Sequence, residues 1–216
     1  MKRILLSIFV LLSLVGVSAC SHSGIRGNGE LQEETRKVDD FNAIEAGGIF
    51  RVYVEVGSEP TLKIEAEENL LQYIETRVSG STLILDQRKN LNPREHITVY
   101  VTVPELNRVE SSGASKYFVE NINSEDFRLS VSGAGKVKLV GTAEKLNADI
   151  SGAADLDAFD FKCKNVDLDV SGASKAEVYC SGILKSDISG VGKVIYDGSP
   201  ENIYSDISGL GKVSSR

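Results

Sequence analysis

Apolar and polar residues alternate along the carboxyl-terminal half of the chain, and the alternation restarts at regular intervals. A period of two is typical of β-strands, because successive side chains of a strand point to opposite faces. Each restart carries a Ser-Gly dipeptide, and successive dipeptides are 20, 19, 20, 18 and 19 residues apart. This spacing predicts a repeat architecture. The dipeptides begin at Ser112, Ser132, Ser151, Ser171, Ser189 and Ser208.

Equivalent positions of the repeats are apolar, which predicts one short strand on either side of each Ser-Gly. Neither strand can bury its apolar face alone, whereas stacking equivalent strands about 4.8 Å apart closes a continuous core. We therefore predict an all-β fold, a parallel β-solenoid with about five narrow coils of roughly 19 residues, coiled right-handed as a β-helix. The residue before the serine is Val131, Ile150, Val170, Ile188 or Ile207, and the residue two after it is Ala114, Ala134, Ala153, Ala173, Val191 or Leu210.

The amino-terminal half carries the same strand element at a longer period. Gly47-Gly48 and Ser79-Gly80 each precede an apolar strand pattern, and they lie 32 and 33 residues from the next such element. We interpret this half as two wide coils that continue into the narrow ones and cap the solenoid. The face shared by Leu70, Leu71 and Ile74 predicts a short helix over residues 68–76.

The first residues have the features of an export signal. Lys2 and Arg3 precede an apolar stretch over residues 4–17, which is too short to span a bilayer comfortably. The stretch ends in Val-Ser-Ala-Cys, which resembles a bacterial lipobox and implies that Cys20 becomes a lipidated amino terminus. Ordinary signal cleavage is the alternative. We predict a signal peptide over 1–19, a flexible tether over 20–30 and one solenoid domain over 31–216.

The charge of the chain bears on its partners. The net charge is −7, and removal of Lys2 and Arg3 with the signal makes it −9. An acidic body argues against nucleic acid and against docking on anionic lipid. We expect the membrane to be reached through the lipid anchor, with the outer membrane as the location. The sequence leaves open whether the protein faces the periplasm or the cell surface.

Two series of charged residues flank the repeated Ser-Gly and form the candidate surface site. Stacked carboxylates suggest a calcium site, but Ca²⁺ takes six to eight oxygen ligands and one carboxylate per coil supplies few. The alternative, which we favour, is a pair of solvated series that screen each other. We predict no metal and no cofactor. The acidic series is Asp149, Asp169, Asp187 and Asp206, and the basic series is Lys136, Lys175, Lys193 and Lys212.

Cys163 and Cys180 remain as a pair once Cys20 is assigned to the lipid. Neighbouring repeats hold them, and an exported protein meets an oxidising compartment, so they are candidates for a disulfide. Their positions within the repeat differ by a few residues, so the sequence leaves open whether the geometry permits a bond between them. His22 and His96 are far from both cysteines in the chain, which argues against a zinc site.

The sequence contains no recognisable catalytic constellation. It has two histidines, no tryptophan and no Gly-rich loop that opens a helix. A carbohydrate-active β-helix enzyme would need acids and bases clustered in one cleft, whereas the charges here are spread along the repeats. We predict that the protein is not an enzyme and keep the carbohydrate-active enzyme as the alternative.

Several segments together resemble the head GIN domain family. They are Asp40 to Ile44, Gly48 to Val52, Glu68 to Leu71 and the repeated Ser-Gly-Ala units, and the likeness covers residues 38–214. The resemblance implies a β-helical adhesin head on a Bacteroidota-type lipoprotein. It favours a non-catalytic envelope module that binds an envelope protein or a glycan. A second hypothesis is a structural subunit that forms a homodimer through an open strand edge near Lys212 and Val213.

Overall fold

The computed structural model describes residues 24–57 and 59–216, which form one β-solenoid with a single short helix. The predicted signal peptide and Cys20 lie outside these residues. The elements are β1 (Ile25–Arg26), β2 (Leu31–Arg36), β3 (Ala43–Gly48), β4 (Phe50–Val56), β5 (Thr61–Glu67), α1 (Glu68–Leu71), β6 (Ile74–Ser79), β7 (Thr82–Gln87), β8 (Leu91–Asn92), β9 (Ile97–Val103), β10 (Arg108–Gly113), β11 (Lys116–Gly133), β12 (Lys136–Gly152), β13 (Asp155–Gly172), β14 (Lys175–Cys180), β15 (Ile183–Gly190), β16 (Lys193–Asp197), β17 (Asn202–Gly209) and β18 (Lys212–Ser215).

The glycine of each Ser-Gly forms a sharp corner between two strands. At Gly133 the backbone has φ +121°, and a Cβ there would lie 2.4 Å from the carbonyl oxygen of Gly113 on the preceding coil. Only glycine accommodates both the positive φ and this close approach. The positive φ recurs at every corner, which explains why the glycine of the dipeptide repeats.

The predicted stacking is confirmed by the strand register. Val131 pairs with Ile150, and the same file, meaning the residues at one register position on successive strands, continues through Val170, Ile188 and Ile207. Side chains from these and equivalent files form one continuous apolar core that runs along the solenoid. The all-β solenoid predicted from the alternation is therefore correct. Its handedness stays a prediction.

The residues two positions after each serine differ from the expectation of apolar burial. They lie on the outside of the glycine corner, where the chain turns before the next strand begins. Ala114 is exposed like its equivalents, and Val191 and Leu210 are 60% and 83% exposed. Their repetition reflects the geometry of the corner and not packing in the core.

The stacking order at the amino-terminal end differs from the order along the chain. β3 pairs with β7 on one side and with β10 on the other, so Gly47-Gly48 lies directly beside Ser112-Gly113. Ser79-Gly80, which the sequence aligns with these corners, instead joins β6 to β7 as an antiparallel hairpin. The chain thus places β7 and β9 outside β3 and β4 before it returns to β10. Local strand patterns carry no information on this order.

Antiparallel strands cap the same end. β5 pairs with β9, β2 pairs with β5, and β6 pairs with β7. The predicted helix is shorter than expected, because α1 ends at Leu71 and Ile74 already begins β6. Leu70, Leu71 and Ile74 are nonetheless all buried, as their shared face predicted.

The segment predicted as a tether is partly ordered. Ile25 and Arg26 form β1, which pairs with β8 at the capped end. The Glu67 carboxylate is buried beside this segment and accepts hydrogen bonds from the backbone N–H groups of Gly29 at 2.6 Å and Arg94 at 2.8 Å. Among the residues described, no helix is long and apolar enough to cross a membrane.

Candidate functional site

The predicted acidic series forms a straight column on the outside of the solenoid. Asp149, Asp169, Asp187 and Asp206 are register partners on successive strands, and all four are exposed. Glu45 and Glu110 extend the column towards the capped end, with Ser130 in the gap. We call this file the acidic column.

The predicted lysines form a second column on the other side of the glycine corner. Lys136 pairs with Asp155, and the file continues through Lys175, Lys193 and Lys212. None of the ion pairs between described residues joins this lysine column to the acidic column; Lys175 instead contacts Glu177 at 2.8 Å. The two columns are therefore separately solvated, and the charges on each side are screened by water and salt.

In the part of the chain that the structure describes, no three His, Cys, Asp or Glu side chains come together as ligands for a metal ion. Neighbouring carboxylates of the acidic column are separated by one strand spacing, about 4.8 Å, and each contributes at most two oxygens.

Cys163 and Cys180 are brought together more closely than the sequence suggests. They are register partners on β13 and β14, because a bulge between Ala158 and Lys162 absorbs their difference in phase. Both are buried free thiols. Burial raises the pKa of the Cys163 thiol to about 12, and the neighbouring Cys180 contributes in the same direction. Burial likewise raises the pKa of Cys180. The disulfide stays a prediction.

A polar groove that the sequence did not predict crosses a third side of the coils. The chain bends away from the preceding side at Asn121, with φ 62°, and at Gly141, with φ +138°. After the bend, short segments of β11, β12 and β13 stack before the chain turns into the next side. The groove has a volume of about 630 Å³, and its lining includes Asn123, Glu125, Thr142, Glu144, Lys162, Lys164, Tyr179 and Ser181.

Charged and hydroxyl side chains meet within this groove. The Lys164 ammonium lies 3.7 Å from the Glu144 carboxylate, and the Thr142 hydroxyl donates to the Asn123 side-chain oxygen at 3.4 Å. The Lys162 ammonium lies 4.0 Å from the centre of the Tyr179 ring. In the sequence, the groove is marked only by Asn121 and Gly141, residue types that favour a positive φ, and by the polar residues that follow them. The alternation of apolar and polar residues does not distinguish these polar residues from those of an ordinary outer face.

An aromatic column lies on the outer face formed by β9, β4 and β11. Tyr53 stacks on Tyr100 with ring centroids 5.5 Å apart and on Phe118 at 4.9 Å. The outer face of Tyr100 is covered by Lys63, whose ammonium is 4.8 Å from the ring centre. Tyr53 is stacked on both faces, and Tyr100 lies between Tyr53 and Lys63, so neither of these two rings presents an open face to a sugar ring. This column contributes to packing between strands.

The family model described as "Putative auto-transporter adhesin, head GIN domain" matches residues 40–200. The chain belongs to this head GIN domain family. The match spans both the capped end and the repeats that carry the groove. The resemblance seen in the sequence is thereby confirmed, and the description of the family points to the cell envelope or surface. No curated protein sequence matches the chain.

Solved structures share the fold of this head GIN domain. A "putative adhesin" from Bacteroides fragilis superposes with a TM-score of 0.74 at 21% identity, covering 89% of this chain and 100% of that one. A "putative adhesin" from Parabacteroides merdae and a "putative lipid binding protein" from Parabacteroides distasonis each give 0.52, at 20% and 23% identity, covering 89% of this chain and 99% of theirs. At these identities the likeness shows the fold alone.

Proposed function

We propose that this head GIN domain is a non-catalytic adhesion module of the cell envelope that holds a glycan in the polar groove. The observation that carries the proposal is the groove itself, where amide, hydroxyl, carboxylate and ammonium groups converge on one concave surface. Ligand sites are concave, and a small number of placed polar groups in them fixes the orientation of the ligand. The family's description as an adhesin head agrees with this role.

The chemistry of the groove favours a hydroxyl-rich ligand. Asn123 and Thr142 can each donate and accept hydrogen bonds, whereas Glu144 accepts and Lys164 donates. Sugar hydroxyls are both donors and acceptors, so they can pair with all four groups. Lys162 covers one face of Tyr179, and the ring lies close to Gly198, so recognition in the groove rests on hydrogen bonds and not on stacking.

The proposed anchor is a lipid on Cys20, with the outer membrane as its location. β1 begins five residues after Cys20 and pairs with β8, so the anchored segment joins the solenoid at its capped end. Several acyl chains give firm attachment, where one chain gives only marginal binding. The groove then stands on the side of a body that rises from the membrane.

A glycan array with the chain from Ser21 onward tests the binding proposal. We expect selective binding of a subset of glycans, reduced at least about tenfold in Lys164→Gln and in Glu144→Gln, which remove charge at nearly constant size. Lys193→Gln and Asp187→Asn make the same changes on the two columns and are the matched controls. Silence against all glycans and matrix proteins overturns the proposal, and unchanged binding by both groove variants overturns the groove as the site.

A further inference from the structure

The carboxyl-terminal end of the solenoid, which we call the tip, exposes apolar side chains that are buried on earlier coils. Ile203 and Ile207 of β17 are 43% and 40% exposed, whereas their register partners Leu184 and Ile188 on β15 are buried. Leu210 lies beside them at the corner. Ile203 and Ile207 are the exposed large hydrophobic side chains at inward positions of the last coil, so a contact at the tip would bury apolar surface that earlier coils keep from water.

The tip also presents unpaired strand edges. β17 pairs with β15 and β18 pairs with β16, and within the described ranges neither has a second neighbour. An exposed edge is a template for pairing with another strand. The opposite end of the solenoid is closed by antiparallel strands and by the buried Leu70 and Ile74. Among the described residues, the capped end therefore exposes no open apolar core that the tip of another copy could cover. The remaining contact is tip to tip, with two-fold symmetry.

We propose that two copies of this chain join tip to tip about a two-fold axis that passes through the corner at Gly209. β17 runs towards this corner and β18 runs away from it. The axis therefore lays β17 of one copy antiparallel to β18 of the other, and both unpaired edges gain a partner. A pair formed by β17 with β17 alone would leave β18 and Val213 uncovered.

Charge complementarity favours a second copy of this chain as the partner and favours this two-fold axis. Asp206 ends the acidic column on one side of the corner, and Lys212 ends the lysine column on the other side. The two-fold axis exchanges the sides, so Asp206 of each copy lies opposite the partner's Lys212. The same register brings Ser205 opposite the partner's Val213. Both residues are in register with buried residues of the preceding strands, so core-facing positions of the two copies lie opposite each other.

The apolar contacts of this register repeat those inside the chain. Ile207 lies opposite the partner's Gly211, a large side chain against a glycine. Within one chain a Cβ on Gly211 would lie 2.6 Å from Cγ2 of Ile188 and 3.0 Å from Cγ2 of Ile207, so isoleucine already packs closely on this glycine. The pairing is independent of any ligand in the groove. That it would link two anchored molecules through their distal ends rests, in addition, on the proposed lipid at Cys20.

Sedimentation of the chain from Ser21 onward, from low to high micromolar concentration, tests the pairing. We expect a monomer–dimer equilibrium, weakened at least about tenfold by Asp206→Lys or by Lys212→Asp, because each places like charges at both symmetric contacts. Asp149→Lys makes the same charge change on the same column three strands away and is the control.

Mixing the two variants separates this geometry from every other dimer. Equal amounts of the Asp206→Lys and Lys212→Asp chains restore opposite charges at both contacts, so the mixture dimerises at concentrations where each variant alone is mostly monomeric. The double variant Asp206→Lys/Lys212→Asp regains self-association for the same reason. A wild-type monomer at all concentrations overturns the inference. A dimer indifferent to the single substitutions, or a mixture that stays monomeric, also overturns it, and neither result bears on glycan binding.

Discussion

Cys163 and Cys180 occupy the same register position on adjacent strands, although 16 residues and a bulge separate them along the chain. In-register neighbours in a parallel sheet are about 4.8 Å apart at their Cα atoms, within the range that disulfides span. Both sulfurs are buried and unbonded, and the Cys180 thiol donates to the carbonyl oxygen of Lys164 at 3.2 Å. The pair is thus positioned for oxidation but protected from reagents in solution.

We expect the thiols to resist modification in the folded protein. With the pKa of Cys163 raised to about 12 by burial, the reactive thiolate is scarce at pH 8. In protein purified in the reduced form, Ellman's reagent should label fewer than one of the two thiols in the native state over an hour and both thiols after denaturation in guanidinium. Protein isolated under oxidising conditions that shows no thiol even when denatured would instead demonstrate the predicted disulfide.

Alkali should destabilise the folded chain. A thiol whose pKa is about 9 when unfolded and about 12 when folded binds more protons in the folded state between these values. Its stabilising contribution is therefore complete below pH 9 and is lost as pH rises towards 12. Urea unfolding midpoints from pH 8 to 11 should fall, and Cys163→Ala should make the fall shallower. Burial also raises the pKa of Tyr117, so Tyr117→Phe should act in the same direction. A slope unchanged by either substitution would contradict the assignment.

A methyl group at the glycine corner should be poorly tolerated. Gly133→Ala forces alanine into φ +121° and against the Gly113 carbonyl, and we expect a loss of about 3 kcal/mol in the free energy of unfolding. Gly57 has no heavy atom within 4 Å of the position of an added Cβ, so Gly57→Ala is the matched control. Denaturant titration by circular dichroism measures both. Equal free energies of unfolding for the two variants would show that neither the positive φ nor the close approach at Gly133 requires glycine.

Glu67 should secure the capped end. Glu67→Gln places an amide donor against the N–H groups of Gly29 or Arg94 and leaves one without an acceptor, at a cost of about 1–3 kcal/mol. Hydrogen exchange should accelerate at these two amides while β12 and β13 stay protected. Glu30→Gln, on the exposed surface nearby, should leave the exchange pattern unchanged. Uniform acceleration along the solenoid would mean that the cap and coils unfold together.

Ser186 offers a stabilising substitution. Its hydroxyl is buried and has no hydrogen-bond partner, and its register neighbours on the preceding strands are Leu168 and Ala148. Ser186→Ala removes an unsatisfied polar group and should raise the free energy of unfolding by about 1 kcal/mol. Ser205→Ala, in the same file at the exposed tip, should change it little. A lower melting temperature for Ser186→Ala would indicate a partner for the hydroxyl in solution.

The sequence predicted what depends on local periodicity. The file from Val131 to Ile207 and both charged columns follow from repeated spacing, because register in a solenoid aligns equivalent residues. The placement of β3 between β7 and β10 could not be predicted, since it depends on long-range pairing. The groove was missed for a related reason. Asn121 and the bulges rotate a few residues onto a separate side, and neither changes the alternation enough to be recognised.

The repeat also determines how the length of this protein can change. Each coil contacts only its two neighbours, so a duplicated unit of about 19 residues would add one layer, about 4.8 Å thick, without disturbing the strands that close the other end. Gain or loss of such units in the carboxyl-terminal half moves the tip stepwise away from or towards the capped end. The length of the solenoid can therefore vary while the structure of the capped end stays the same.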